Sequence, residues 1–391
     1  MQKRYLMQIL FSAVFLALAA LPTFADDDGS VLKKFKNIST VASTVPANGD
    51  VNPYGIVRVE RSIGHLYKDH ILVSNFNNAP TGAAPGGLQG TGTTIVDIAP
   101  DGTLSLFAQI DAGSLPGPCP GGVGLTTALA VFRSGWVIVG SLPTSDGMSD
   151  TAQPGCLLVL DSYGHVAETF SGTPIDGPWD MTWLEAGDDA VLFVTNVLNG
   201  TVAGGGSNVD QGTVVRINLE LSEHHMPSIE SITVIGSGFP EHSDPAALVV
   251  GPTGVALSPN SDGDHDSLSC KGFDHDDRVL YVADTVNNRV AAIHHALCRK
   301  NSDGTGDTLS VGGFLNGPLG LTVTPEDHIL TVNAGDGFVT EITPWGHQIG
   351  HTLLDSSGMP QGAGALFGLI FVPNLGIYYV DDAANTLNLL R

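Results

Sequence analysis

The chain states one pattern six times. A turn leads into a short apolar strand, and a second apolar strand follows that ends on Asn, Asp or Ser. The clearest copies are Pro252-Thr253-Gly254-Val255-Ala256-Leu257 with Leu280-Tyr281-Val282-Ala283-Asp284, and Pro318-Leu319-Gly320-Leu321-Thr322-Val323 with Ile329-Leu330-Thr331-Val332-Asn333. No single copy is large enough to bury its own apolar face, so the copies must stack on one another. First strands are expected around Gly55–Val59, Ala128–Phe132, Asp180–Leu184, Gly254–Leu257, Gly320–Thr324 and Gly368–Val372. Second strands end at Asn75, Ser141, Asn196, Asp284, Asn333 and Asp381.

A third strand follows each pair, and a tight turn such as Pro344-Trp345-Gly346-His347 then leads to a fourth. Four strands per unit make a radial blade. The sixth unit lacks its fourth strand, because the sequence stops at Arg391. Phe35–Ala42 supplies one at the other end, and leads into a first-strand turn of its own, Asn52-Pro53-Tyr54-Gly55. Joining the two ends closes a ring and removes an exposed sheet edge. The expected fold is all-β: a six-bladed β-propeller of four-stranded antiparallel blades, closed by the N-terminal strand.

Residues 1–25 read as a signal peptide. Lys3 and Arg4 precede an apolar run, Ile9–Leu21, and Thr23-Phe24-Ala25 offers a small residue for cleavage. The run falls short of the ~20 apolar residues of a membrane span. The expected domains are therefore 1–25 as signal and 26–391 as propeller, exported to the periplasm or outside the cell and monomeric. The formal charge is -24, and losing Lys3 and Arg4 takes it to -26. A surface of that sign repels nucleic acid and anionic membranes. An exported chain with four cysteines should form disulfides. Cys119–Cys156 and Cys270–Cys298 are the expected pairs, because each lies within one unit.

At the fourth unit the pattern becomes specific. Leu280-Tyr281-Val282-Ala283-Asp284-Thr285-Val286-Asn287-Asn288-Arg289-Val290 resembles the NHL repeat, and Gly251-Pro252-Thr253-Gly254-Val255-Ala256 is similar to that repeat's opening. The other units are degenerate, as in Val194-Thr195-Asn196 and Tyr379-Val380-Asp381. The whole resembles a secreted bacterial NHL-repeat protein, which implies six blades.

Related six-bladed enzymes hold a metal or a carboxylate in the central channel, with several ligands on the turn into the innermost strand. Here that position reads Tyr54, Thr127, Trp179, Thr253, Leu319 and Phe367. Hard cations need several oxygens, and this set is mainly apolar, so no cofactor is expected. The same residues ring the expected channel mouth, where they either hold a ligand or plug the hole. Asp180 stands where four other copies have Gly, which makes it the one candidate catalytic carboxylate. Asp262, Asp264 and Asp266 alternate as in calcium loops, although the EF-hand positions for Gly and Glu hold Ser267 and Phe273. A structural calcium ion is the only metal this suggests. Asn and Asp at second-strand ends are expected to cap turns, and His165 and His347 to lie in exposed outer turns. The expected role is binding rather than catalysis: a module or scaffold for a protein, peptide or glycan. The alternative is a propeller enzyme of the lactonase, hydrolase or lyase class, working in the channel through Asp180.

Overall fold

The computed structural model describes residues 29–223, 225–259, 268 and 278–391. Six antiparallel sheets follow one another around an axis, as the repeats require. Their innermost strands are Val51–Arg58, Leu125–Val131, Pro178–Ala186, Pro252–Leu257, Pro318–Val323 and Leu366–Val372. Each alternates apolar side chains toward both neighbouring blades, so the cores lie between sheets and the strands read as nearly continuous apolar runs.

All six innermost strands share an irregularity near their first residues. The ladder to the second strand shifts between Pro53 and Ile56, Leu125 and Leu129, Pro178 and Met181, Pro252 and Val255, Pro318 and Leu321, and Leu366 and Leu369. A bulge frees the residues inside it from the pleat and lets them re-aim. Tyr54, Thr127, Trp179, Thr253, Leu319 and Phe367 all fall inside these shifts.

The ring closes as the sequence implies. Ile38–Ser43 pairs antiparallel with Thr386–Leu390, through Ile38↔Leu390 and Ser43↔Thr386, and becomes the outer strand of the sixth blade. The expected strand began at Phe35. Instead a single helical turn, Val31–Lys34, precedes it, with Ser30 as N-cap. That turn is tied to the fifth blade by Glu341, a carboxylate with no solvent exposure. Glu341 accepts the Ser30 hydroxyl at 2.6 Å, the Val31 and Leu32 N–H groups at 3.0 Å each, and Nδ1 of buried His328 at 2.8 Å. Four donors offset the cost of burying the charge.

The third blade departs most from expectation. Thr201–Gly212 reads as a loop, yet the third strand runs Val209–Ser222. The outer strand, expected over Ser231–Gly236, runs His225–Asp244. Pro227, Gly236, Gly238 and Pro240 look like boundaries in sequence. The outer strand tolerates them because its ladder is broken by repeated register shifts. Leu248–Val250 adds a fifth strand to this sheet.

The Cys119–Cys156 disulfide is formed across 37 residues, a loop whose closure stabilises by ~3–4 kcal/mol in the chain-entropy picture. Cys270 lies outside the described residues, and no described cysteine is free.

Glu341→Ala leaves His328 and three N-terminal donors without their acceptor, and should cost about 3–5 kcal/mol, as when one partner of a buried charged pair is removed. Chemical denaturation measures this. Deleting residues 31–44 opens the ring and should abolish cooperative melting; a truncated chain that melts like the parent overturns the closure.

Candidate functional site: the central channel

The bulges turn their aromatic residues toward one another. The Tyr54 ring stacks on Phe367 at 3.9 Å and on Phe76 at 4.5 Å, and lies 6.4 Å from Trp179. Tyr54, Trp179, Leu319 and Phe367 are all at least nine-tenths buried, and Thr253 and Thr127 are buried beside them. The same contiguous apolar cluster continues into the loops above through Leu142, Leu198, Leu248 and Val249. At this end of the ring the axis is filled by a hydrophobic core. The environment pushes the Tyr54 hydroxyl pKa up, first through burial and then through nearby Asp382.

Just below the plug the inner strands touch backbone to backbone. A Cβ on Gly254 would meet the Leu319 carbonyl oxygen at 2.1 Å, and one on Gly320 would meet that of Phe367 at 1.9 Å. Only glycine permits this approach. Hydroxyls bridge the same seam. Ser74 Oγ accepts from Gly55 N–H at 2.9 Å and donates to the Thr126 carbonyl of the next blade at 2.8 Å. Thr195 Oγ1 does the same between Asp180 N–H, at 3.1 Å, and the Thr253 carbonyl, at 2.8 Å.

Asp180 occupies a glycine position because blades three and four meet there through a side chain. Its Oδ1 accepts the Met181 N–H at 2.9 Å and its Oδ2 the Val255 N–H of the fourth blade at 3.0 Å. The carboxylate thus bonds turn amides on both sides of the seam. It also lines the open part of the channel. Burial pushes its pKa up to about 7, against the lowering effect of those two N–H groups.

From the plug the channel widens toward the far ends of the inner strands, as a cavity of about 430 Å³. Its walls carry Ile56, Leu129, Met181, Leu321 and Leu369. The innermost strands are sheet edges, so N–H and C=O groups lacking a ladder partner also face the axis. At the rim stand Arg58, Glu60, Arg133 and Glu185. Arg58 pairs with Asp69, and Arg133 Nε with Glu60 at 3.3 Å. Glu185 accepts the Arg133 and Ser134 N–H groups at 2.7 and 3.1 Å. Blades one to three make the charged side of the rim, while Leu257, Val323 and Phe371 make the opposite side apolar.

The other expected groups that the structure describes stay apart from this cavity. Asp262, Asp264 and Asp266 lie outside the described residues. His165 and His347 are exposed in outer turns, and His165 sits 3.2 Å from Asp161. Asp284 binds Arg289 Nε at 2.8 Å and Asn287, and Asp381 accepts the Ala384 N–H at 3.0 Å, so both hold turns. Among the described residues no three His, Cys, Asp or Glu side chains converge as metal ligands. At the axial positions compared above with metal-holding propellers, this chain places mainly aromatic and apolar side chains.

Sequence reasoning missed the rim and the Glu341–His328 hub. It followed each inner strand's first residues, whereas the cavity opens at the last ones. Arg58, Arg133 and Glu185 sit within two residues of those last positions, a regularity visible in the aligned repeats.

No protein-family model matches the chain, and no curated sequence matches it. Solved structures do. A gluconolactonase from Xanthomonas campestris superposes with a TM-score of 0.52 at 12% identity, covering 92% of this chain and 90% of that one. A calcium-binding regucalcin from Agrobacterium tumefaciens gives 0.52 at 13%, covering 90% and 93%. A luciferin-regenerating enzyme gives 0.50 at 11%, covering 90% and 94%. What they share with this chain is the fold. This chain is a six-bladed β-propeller. The similarity of its fourth unit to the NHL repeat is not matched by a family model. No described helix is long and apolar enough to cross a membrane.

Phe367→Ala removes a ring from the plug and should cost about 3–5 kcal/mol, the range for a large core truncation. A stability-neutral result would make this end an open binding mouth. A second expectation concerns pH. Burial raises Asp180, Glu241 and Asp382 to about 7 and Asp327 to about 6. Between the ordinary carboxylate range and those values the folded chain holds protons that the unfolded chain has released. The stability they contribute is full below about pH 4 and lost as pH rises through about 7. Asp180→Asn should make this fall shallower when melting is followed from pH 4 to 8; an unchanged slope would overturn the assignment.

Proposed function

We propose that this propeller is a small-molecule enzyme of the hydrolase or lyase kind, working in the open half of its channel with Asp180 as proton donor and acceptor. One observation carries the reading. A single carboxyl, buried at the head of a cavity of about 430 Å³, is poised near neutrality. Cavities of roughly 300–1,000 Å³ suit small ligands. A general base is most effective when its pKa lies near the working pH. The two backbone N–H groups fix the carboxyl in the channel wall.

This favours the small-molecule alternative over a scaffold for a protein, peptide or glycan. The cavity is walled by all six innermost strands and bounded at one end by the plug. The fold neighbours described as gluconolactonase and luciferin-regenerating enzyme agree with that direction. Their low identity leaves the chemistry to be argued from Asp180.

The test is a turnover screen over lactones, esters and compounds with an acidic C–H, run on three proteins. Wild type should turn over at least one class. Asp180→Asn should lose about 10²–10⁴-fold in kcat, the usual contribution of a positioned general base. Leu321→Trp, which fills the channel, should lose binding as well. Turnover that survives both substitutions would place the chemistry elsewhere; channel binding without turnover of any class would return the protein to a binding role.

A further inference from the structure

The channel also carries information about the charge of its ligand. Among the described residues five ionisable side chains line it: Asp180 at its head, and Arg58, Glu60, Arg133 and Glu185 at the rim. The two arginines already have acidic partners in Asp69 and Glu60. Among the described residues Asp180 is bonded only to two backbone N–H groups, and no described cationic side chain neutralises it. Beyond these, the wall side chains are largely apolar, and the chain as a whole carries -24.

A ligand entering this tube displaces water from Asp180. An anion would be repelled there. A neutral ligand would leave an ionised carboxylate desolvated, or force it to stay protonated. A cation supplies the missing partner in a site of low dielectric, where a charge-assisted hydrogen bond is stronger than in water.

We infer that the ligand of this channel is a small amphipathic cation, a protonated amine on an apolar body, held with its ammonium group against the Asp180 carboxylate and its body between Leu129, Leu321 and Leu369. The inference rests on the channel being the working site. It also sharpens the proposed chemistry, because a positive charge beside Asp180 holds it in the carboxylate form that proton abstraction needs. Free carbonyls on the inner strand edges would accept the ammonium's remaining hydrogens. The acidic surface would draw cations toward the ring at low salt.

Three probes with one body test this by calorimetry: 3-phenylpropylamine, 3-phenylpropan-1-ol and 3-phenylpropanoate. At pH 8 the amine should bind wild type at least about tenfold more tightly than the alcohol, as one extra charge-assisted bond implies, and the acid should not bind. Amine affinity should fall as pH drops from 8 to 5, with about one proton released per amine bound at pH 6, while Asp180→Asn should bind amine and alcohol alike. Leu321→Trp should block both, and Thr322→Phe serves as a second filling variant if that protein misfolds. Equal binding of amine and alcohol, blocked by the filled channel, would overturn the charge assignment and leave the channel site standing. Amine preference surviving in Asp180→Asn would assign it to the acidic surface and overturn the inference. No binding of any probe to wild type, or binding unaffected by filling, would overturn the channel site itself.

Discussion

Everything in this ring depends on how closely six strand edges can approach one axis. At the throat the approach is backbone to backbone, with room for no side chain at Gly254 or Gly320. The bulge in each inner strand makes that approach possible, and the bulge's freed N–H is taken up by a hydroxyl, Ser74 in one blade and Thr195 in another. The same distortion aims the preceding residue at the axis. In this chain three of those residues are aromatic, so the geometry that tightens the throat also seals one end of it.

Sealing one end decides where a ligand can enter the channel. Side chains from six blades meet on the axis at the plug, but they meet as a core. What remains accessible is the other half of the channel, whose walls are strand edges and apolar side chains, with one carboxylate at its head. Asp180 serves two needs there. It replaces a backbone contact between blades three and four with a pair of hydrogen bonds, and it places a group near neutrality where a small ligand would end. The structural role and the proposed chemical one do not compete at this position, because both require the carboxylate to be held rigidly.

The closure of the ring is a second, separate device. Pairing Ile38–Ser43 with Thr386–Leu390 completes the sixth blade and ties the two ends of the ring together. The turn before it is anchored by Glu341, a buried charge satisfied by residues far away in sequence. Neither Glu341 nor His328 stands out in the strand pattern. Their role exists only because the fifth blade lies beside the N-terminal turn.

Much of the construction was legible in the sequence. Periodicity located all six inner strands, the turn-holding Asp284 and Asp381, the Cys119–Cys156 pair and the completion of the last blade by the N-terminal strand, because each follows from local pattern and chain connectivity. The third blade was misjudged, since Pro and Gly read as strand ends until a distorted outer ladder accommodates them. The axial residues were located but their role was not, because a list of Tyr54, Trp179 and Phe367 is the same whether the rings line a mouth or stack into a core. Ring stacking, burial and the position of the open cavity depend on distances between blades, and those are set by the closed ring as a whole. The sequence by itself determined the six-bladed ring, through repeats that cannot bury their faces alone. Only the tertiary structure decided which end of the channel is open and what Asp180 faces, because both depend on contacts between residues from different repeats.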